Sequence, residues 1–130
     1  MDTKITEKGA NQGQITAKYS LAWELRFKDI QQAIALTREA CDGYDCEGIH
    51  ESDVIAALAQ ARRNLGVLLY QVGEYPAALK ALQEALVLFE KTGSQRDRIL
   101  THARLGAIQL CLSNYAQALQ HTLEGFELFS

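Results

Sequence analysis

The sequence predicts an all-α fold, with six helices arranged as three hairpins stacked into an α-α superhelix. Three observations carry that expectation. Landmarks recur at one spacing: Leu65-Gly66 returns as Leu105-Gly106, Tyr75 as Tyr115 and Ala78-Leu79 as Ala118-Leu119, each 40 residues on. A repeat of this length marks an array of supersecondary units. Within each unit the apolar residues fall three and four apart, which is one stripe of a 3.6-residue helix. One proline and nine glycines in 130 residues are too few for a turn-dense β fold.

The expected domain covers residues 15–130 and follows a flexible tail over 1–14; its hairpins span 15–43, 52–92 and 94–129. The first helix is expected over Ile15 to Phe27, with Tyr19, Ala22, Trp23 and Phe27 at helical spacing. Asp29-Ile30-Gln31-Gln32 has the form of a capping box and opens a second helix, with Ala33, Ile34, Thr37 and Ala40 along one face. Cys41 to Glu51 is the one long connection. Ser52 is expected to cap a third helix over Asp53 to Val72. Gly73 then closes that helix in the left-handed conformation, and Pro76 suits the first turn of the fourth, where its missing N–H is not needed. The fourth helix carries Ala78, Leu82, Ala85 and Phe89 as its buried stripe and ends at Gly93. Ser94 caps the fifth, with Asp97 in its first turn. Asn114, with Gln117 three residues on, is expected to cap the sixth, whose apolar stripe is Tyr115, Leu119, Leu123 and Phe126.

Composition narrows the function classes. Thirteen Lys and Arg against sixteen Asp and Glu give a net charge of −3, so nothing electrostatic favours nucleic acid or an acidic membrane surface. No apolar run approaches the about 20 residues that span a bilayer. Met1 to Gln14 is polar and lacks the apolar stretch of a secretion signal, so a cytoplasmic location is expected.

The repeat landmarks resemble those of the tetratricopeptide repeat. The second unit supplies Leu65-Gly66, Leu69, Gly73-Glu74-Tyr75, Ala78, Leu82 and Ala85, a near-complete match. The third supplies Leu105-Gly106, Tyr115 and Ala118, with Ser113, Thr122 and Gly125 in place of Gly, a large residue and Ala. The first retains Ala33, Thr37 and Ala40 and lacks the Leu-Gly pair. The usual unit has about 34 residues, and the 40-residue spacing here is similar to that of longer repeats in bacterial signalling proteins. Ala22-Trp23-Glu24-Leu25-Arg26 resembles segments that precede diguanylate cyclase domains. The resemblance implies a non-enzymatic protein-interaction module forming the N-terminal regulatory or sensor part of a larger cytoplasmic signalling protein, such as a cyclase, kinase or transcription regulator. A homodimerisation scaffold and a small-ligand or peptide sensor are the alternatives.

The same resemblance places the binding groove on the first helix of each hairpin, with Lys18, Arg63, Asn64, Val67, Tyr70 and Arg104 as its residues; Ala107 and Leu110 are expected to point the same way. Lys18, Asn64 and Arg104 match three places of a clamp for a C-terminal carboxylate, whereas Ala22 and Leu100 do not match the other two. Arg63 and Arg104 make this face basic, which favours an acidic ligand. Leu119, Leu123, Phe126, Leu128 and Phe129 are too widely spread around the last helix all to pack inward on Leu105, Ile108 and Leu110. Leu123, Phe126, Leu128 and Phe129 are therefore expected to form an interface, for self-association or for further helices beyond Ser130.

Catalytic sets are absent from the sequence. His50, His102 and His121 stand beside no nucleophile motif, and Gly43 and Gly48 fit no phosphate loop. Cys41, Cys46 and His50 are spaced more loosely than a zinc knuckle, with Asp42, Asp45, Glu47 or Glu51 as the remaining donors. The expectation is no metal, no cofactor and reduced thiols, with Cys111 as a small core residue.

Overall fold

The computed structural model describes residues 3–42 and 51–129, with side chains from residue 12 onward. Six helices follow in order: α1 (Thr3–Leu25), α2 (Ile30–Cys41), α3 (Ser52–Gln71), α4 (Tyr75–Thr92), α5 (Gln95–Cys111) and α6 (Tyr115–Glu127). There is no strand among the described residues. Each odd helix packs against the even helix that follows it, and the hairpins stack through α2 and α1 on α3 and through α4 on α5. The core runs the length of this stack. Its largest fully buried side chains are Ile15, Leu58, Leu68, Leu69, Leu82, Leu88, Phe89, Leu105 and Ile108.

Local chemistry sets the helix ends. The Asp29 side chain accepts from the Gln32 N–H at 3.1 Å and starts α2. Ser94 accepts from the Asp97 N–H and starts α5. Gly93, at φ +76°, ends α4. After α3, Gly73 sits at φ +82°; its N–H donates to the Tyr70 carbonyl and the Glu74 N–H to the Leu69 carbonyl. That pair of bonds is a Schellman closure. The same two bonds recur after α5, from Ser113 to Leu110 and from Asn114 to Gln109. Ser113 therefore takes a positive φ of 62° without being glycine.

Several sequence expectations are corrected. The backbone is helical from Thr3, so α1 begins well before the Ile15 expected for the first helix. No proline interrupts this stretch, and Gly9 and Gly13 weaken a helix without ending it. The first buried side chain is Ile15. Helix α1 ends at Leu25, so Phe27 lies outside it, 79% exposed, with the Arg26 guanidinium stacked on its ring. Glu51, not Ser52, precedes α3 as its cap residue, and it makes no side-chain capping bond. Asn114 precedes α6, yet its side-chain amide donates to Gln109 Oε1 at 2.9 Å and does not cap the helix. Cys111 is exposed, and so is Leu110. On the last helix, Tyr115, Leu119, Leu123 and Phe126 face solvent, as does Phe129 after it, while Leu128 is half-buried; the buried side of α6 is Ala118 and Gly125.

Candidate functional site

Close approach of the two helices in a hairpin sets the shape of the groove. A Cβ on Gly66 would lie 2.5 Å from Leu82 Cγ and 3.3 Å from the Ala78 carbonyl oxygen. Glycine at 66 and alanine at 78 thus let α3 and α4 touch backbone to backbone. Gly106 repeats the arrangement on α5, against Thr122 and the Ala118 carbonyl of α6. Leu82 fills the gap in the second hairpin, where Thr122 stands in the third.

Between α3 and α5 lies a cavity of about 250 Å³, lined by Gly66, Val67, Tyr70, Gln71, Leu82, Arg104, Ala107 and Ile108. Its walls are mainly aliphatic and aromatic, with Arg104 as the one charged side chain among them. Tyr70 stacks on Tyr75 at 5.6 Å between ring centroids. Its phenol also hydrogen-bonds to Cys111, which raises its pKa above the ordinary value. This contact is absent from any sequence pattern, because residues 70 and 111 meet only when the hairpins stack.

The six groove residues expected from sequence divide into three groups. Val67, Tyr70 and Arg104 come together in the cavity wall. Arg63 and Asn64 sit further along α3 and bond to each other: Arg63 Nε and Nη2 donate to Asn64 Oδ1 at 3.2 and 3.0 Å, and Asn64 is buried. Lys18 pairs with Glu39 of α2 at 3.8 Å and is not among the residues of the cavity wall. Two members of the three-residue clamp match, Lys18 and Asn64, are thus engaged within the chain.

Electrostatics distinguish the two arginines. Burial, and then the nearby Arg104, hold the Arg63 guanidinium below its ordinary pKa, while Asp97 and Tyr19 act in the opposite direction. Arg104 Nη1 is buried without a hydrogen-bond partner among the described residues. Two guanidinium groups that repel each other, one with a donor unused, make this face a place where an anion lowers the energy. Sequence reading missed Tyr19, Asp97 and Gln60 as neighbours of this region. Gln60 Nε2 donates to Asp97 Oδ2 at 3.5 Å and so ties α3 to α5.

No group of three or more His, Cys, Asp or Glu that could hold a metal ion occurs among the described residues. Cys41 is buried; Cys46 and His50, named above with it, lie outside the described residues. His102 and His121 meet across α5 and α6, with Nδ1 atoms 3.4 Å apart. No described helix is long and apolar enough to cross a membrane.

The repeated glycine contacts and the 40-residue spacing have a counterpart in a known family: the tetratricopeptide repeat model matches residues 57–129. The chain belongs to the tetratricopeptide repeat family. The match spans α3 to α6 apart from the first residues of α3, the two hairpins that carry the Leu-Gly pairs. No curated protein matches the chain. Tetratricopeptide repeats are non-catalytic modules that mediate protein–protein interaction.

Proposed function

We propose that this tetratricopeptide repeat chain binds an acidic segment of a protein partner across α3 and α5. The observation that supports the reading best is the buried, unpartnered Nη1 of Arg104 beside an apolar cavity of about 250 Å³. An aliphatic or aromatic side chain of the ligand fills the cavity against Val67, Tyr70 and Ala107. A carboxylate of the ligand accepts from Arg104 and offsets its repulsion with Arg63. A carboxylate at a peptide C-terminus and one on a side chain both fit this chemistry. On this reading the chain is the regulatory part of a larger cytoplasmic signalling protein, and partner binding changes how its hairpins stack.

A panel of fluorescent peptides with acidic C-termini tests the groove, with amidated and basic panels as controls. The acidic panel is expected to yield binders that Arg63→Glu with Arg104→Glu abolishes while circular dichroism stays helical. Equal binding by the basic panel, or binders undiminished in the double variant, would move the site off this face.

A further inference from the structure

The outer face of α6 is apolar and bare. Tyr115, Leu119, Leu123, Phe126 and Phe129 follow one another at spacings of four, four, three and three, and each is more than half exposed. Forty residues earlier, most of the equivalent positions have cover. Phe89, the counterpart of Phe129, is buried, and Tyr75, Leu79 and Leu86, the counterparts of Tyr115, Leu119 and Phe126, are partly buried against the core. The difference lies in the neighbours: α4 packs between α3 and α5, whereas α6 packs on α5. Its large side chains therefore meet water.

We propose that this stripe is a self-association surface on which α6 of a second copy of the chain packs antiparallel across a two-fold axis. Three features select that occupant. First, the stripe carries no side chain charged at neutral pH, so two copies do not repel. Second, the opposite end of the stack is more polar: α1 exposes Gln12, Gln14, Lys18, Ser20 and Glu24, and the large apolar residues exposed in the first hairpin, among those described, are Leu21 and, in the turn, Phe27, on which the Arg26 guanidinium stacks. Head-to-tail stacking would set an apolar face on a polar one. Third, the acidic residues of α6, Glu124 and Glu127, both lie in its C-terminal half, and Tyr115 to Leu119 carries no charge. Antiparallel pairing puts each acidic end beside the positive dipole end of the partner helix, whereas parallel pairing would bring the acids together. A two-fold contact also closes on itself and leaves no further apolar end. The surface is separate from the groove on α3 and α5, so peptide binding and self-association fail independently.

Sedimentation and light scattering of the 14.4-kDa chain test this directly. The expected result is a monomer–dimer equilibrium that moves toward dimer with concentration. Leu119→Glu with Phe126→Glu is expected to yield a monomer with an unchanged helical spectrum, and Leu21→Glu to leave the dimer intact. Orientation is read by oxidation in a Cys46→Ser, Cys111→Ser background. Leu123→Cys, near the centre of the stripe, should cross-link two copies. Tyr115→Cys should not, because antiparallel pairing separates the two copies of that position by about 20 Å along the helices. The cross-link also tests the contact without introducing charge, should the double variant unfold. A strict monomer at millimolar concentration, a dimer that survives the double Glu variant, loss of the dimer in Leu21→Glu, or cross-linking through Tyr115→Cys would each overturn the proposal.

Discussion

At Gly66 and Gly13 the same residue type sits in a helix for different reasons. Nothing lies within 4 Å of a Cβ placed on Gly13, whereas one placed on Gly66 meets the Leu82 side chain at 2.5 Å. Gly13→Ala is therefore expected to stabilise the chain by about 0.5–1 kcal/mol, the helix-propensity gain. Gly66→Ala is expected to destabilise it by about 1–3 kcal/mol, because the added Cβ meets the branch point of the buried Leu82 side chain and, at 3.3 Å, the Ala78 carbonyl oxygen. Denaturant melts of the two variants check both signs. Ala78→Leu overpacks the other side of this contact and should also cost about 1–3 kcal/mol. Ser113 offers the reverse case. It holds φ +62° where its repeat counterpart Gly73 holds +82°. The left-handed conformation costs a residue with a Cβ about 1–2 kcal/mol. Ser113→Gly is expected to recover most of that and raise the melting temperature, measured by calorimetry.

Among the elements, the α5–α6 hairpin differs most from its neighbour. Gly125 replaces the alanine of the repeat, and a Cβ there would approach His102 Cβ to 3.1 Å. The glycine makes room for a buried histidine, whose Nδ1 lies 3.4 Å from that of His121. Burial lowers the pKa of His102; His121 and Arg98 act in the same direction, and Glu124 and Glu90 oppose them. The sign follows from linkage. Unfolded His102 takes up its proton near the usual about 6.5, and the folded side chain does so at lower pH. The unfolded state thus binds more protons as pH falls through and below that value, and stability is lost. Between pH 7.5 and 5.5 the melting temperature is expected to fall, and to fall less in His102→Asn. An equal fall in both proteins would show that other groups carry the acid sensitivity.

For the whole molecule, stability is distributed unevenly along the stack. Helices α3 and α4 supply Leu58, Leu68, Leu69, Leu82, Leu88 and Phe89 to the core, whereas α6 supplies only Ala118 and Gly125. The Arg62–Glu84 ion pair, 2.8 Å with Arg62 largely buried, further joins α3 to α4. In repeat stacks local unfolding follows such gradients. Amide hydrogen exchange in the Leu119→Glu, Phe126→Glu variant is expected to be slowest in α3 and α4 and fastest in α6. Uniform protection along the chain would show that the hairpins unfold as one unit.

Much of this was legible in the sequence because its cause is local. The Leu-Gly pairs, the Ala78-Leu82-Ala85-Phe89 stripe, the Asp29 and Ser94 caps and the left-handed glycines at 73 and 93 depend on residues within one or two turns, and spacing alone determines them. The membership of the groove was only partly legible. Lys18 and Asn64 have suitable types at suitable spacings, yet their side chains are drawn to Glu39 and Arg63, partners that only packing supplies. Tyr70 and Cys111, 41 residues apart, meet for the same reason. The orientation of α6 was legible only in part: the spread of its large residues around the helix meant that some had to stay exposed, and tertiary structure decided which. Its periodicity identified an apolar stripe without specifying which side of the helix a neighbour covers. Here Gly106 and Gly125 draw α6 in through its small residues, Ala118 and Gly125, because backbone contact requires the absence of bulk. The large residues are left pointing outward. Sequence periodicity specifies that a helix has an apolar face; which face a neighbour covers is set by where two backbones can come closest.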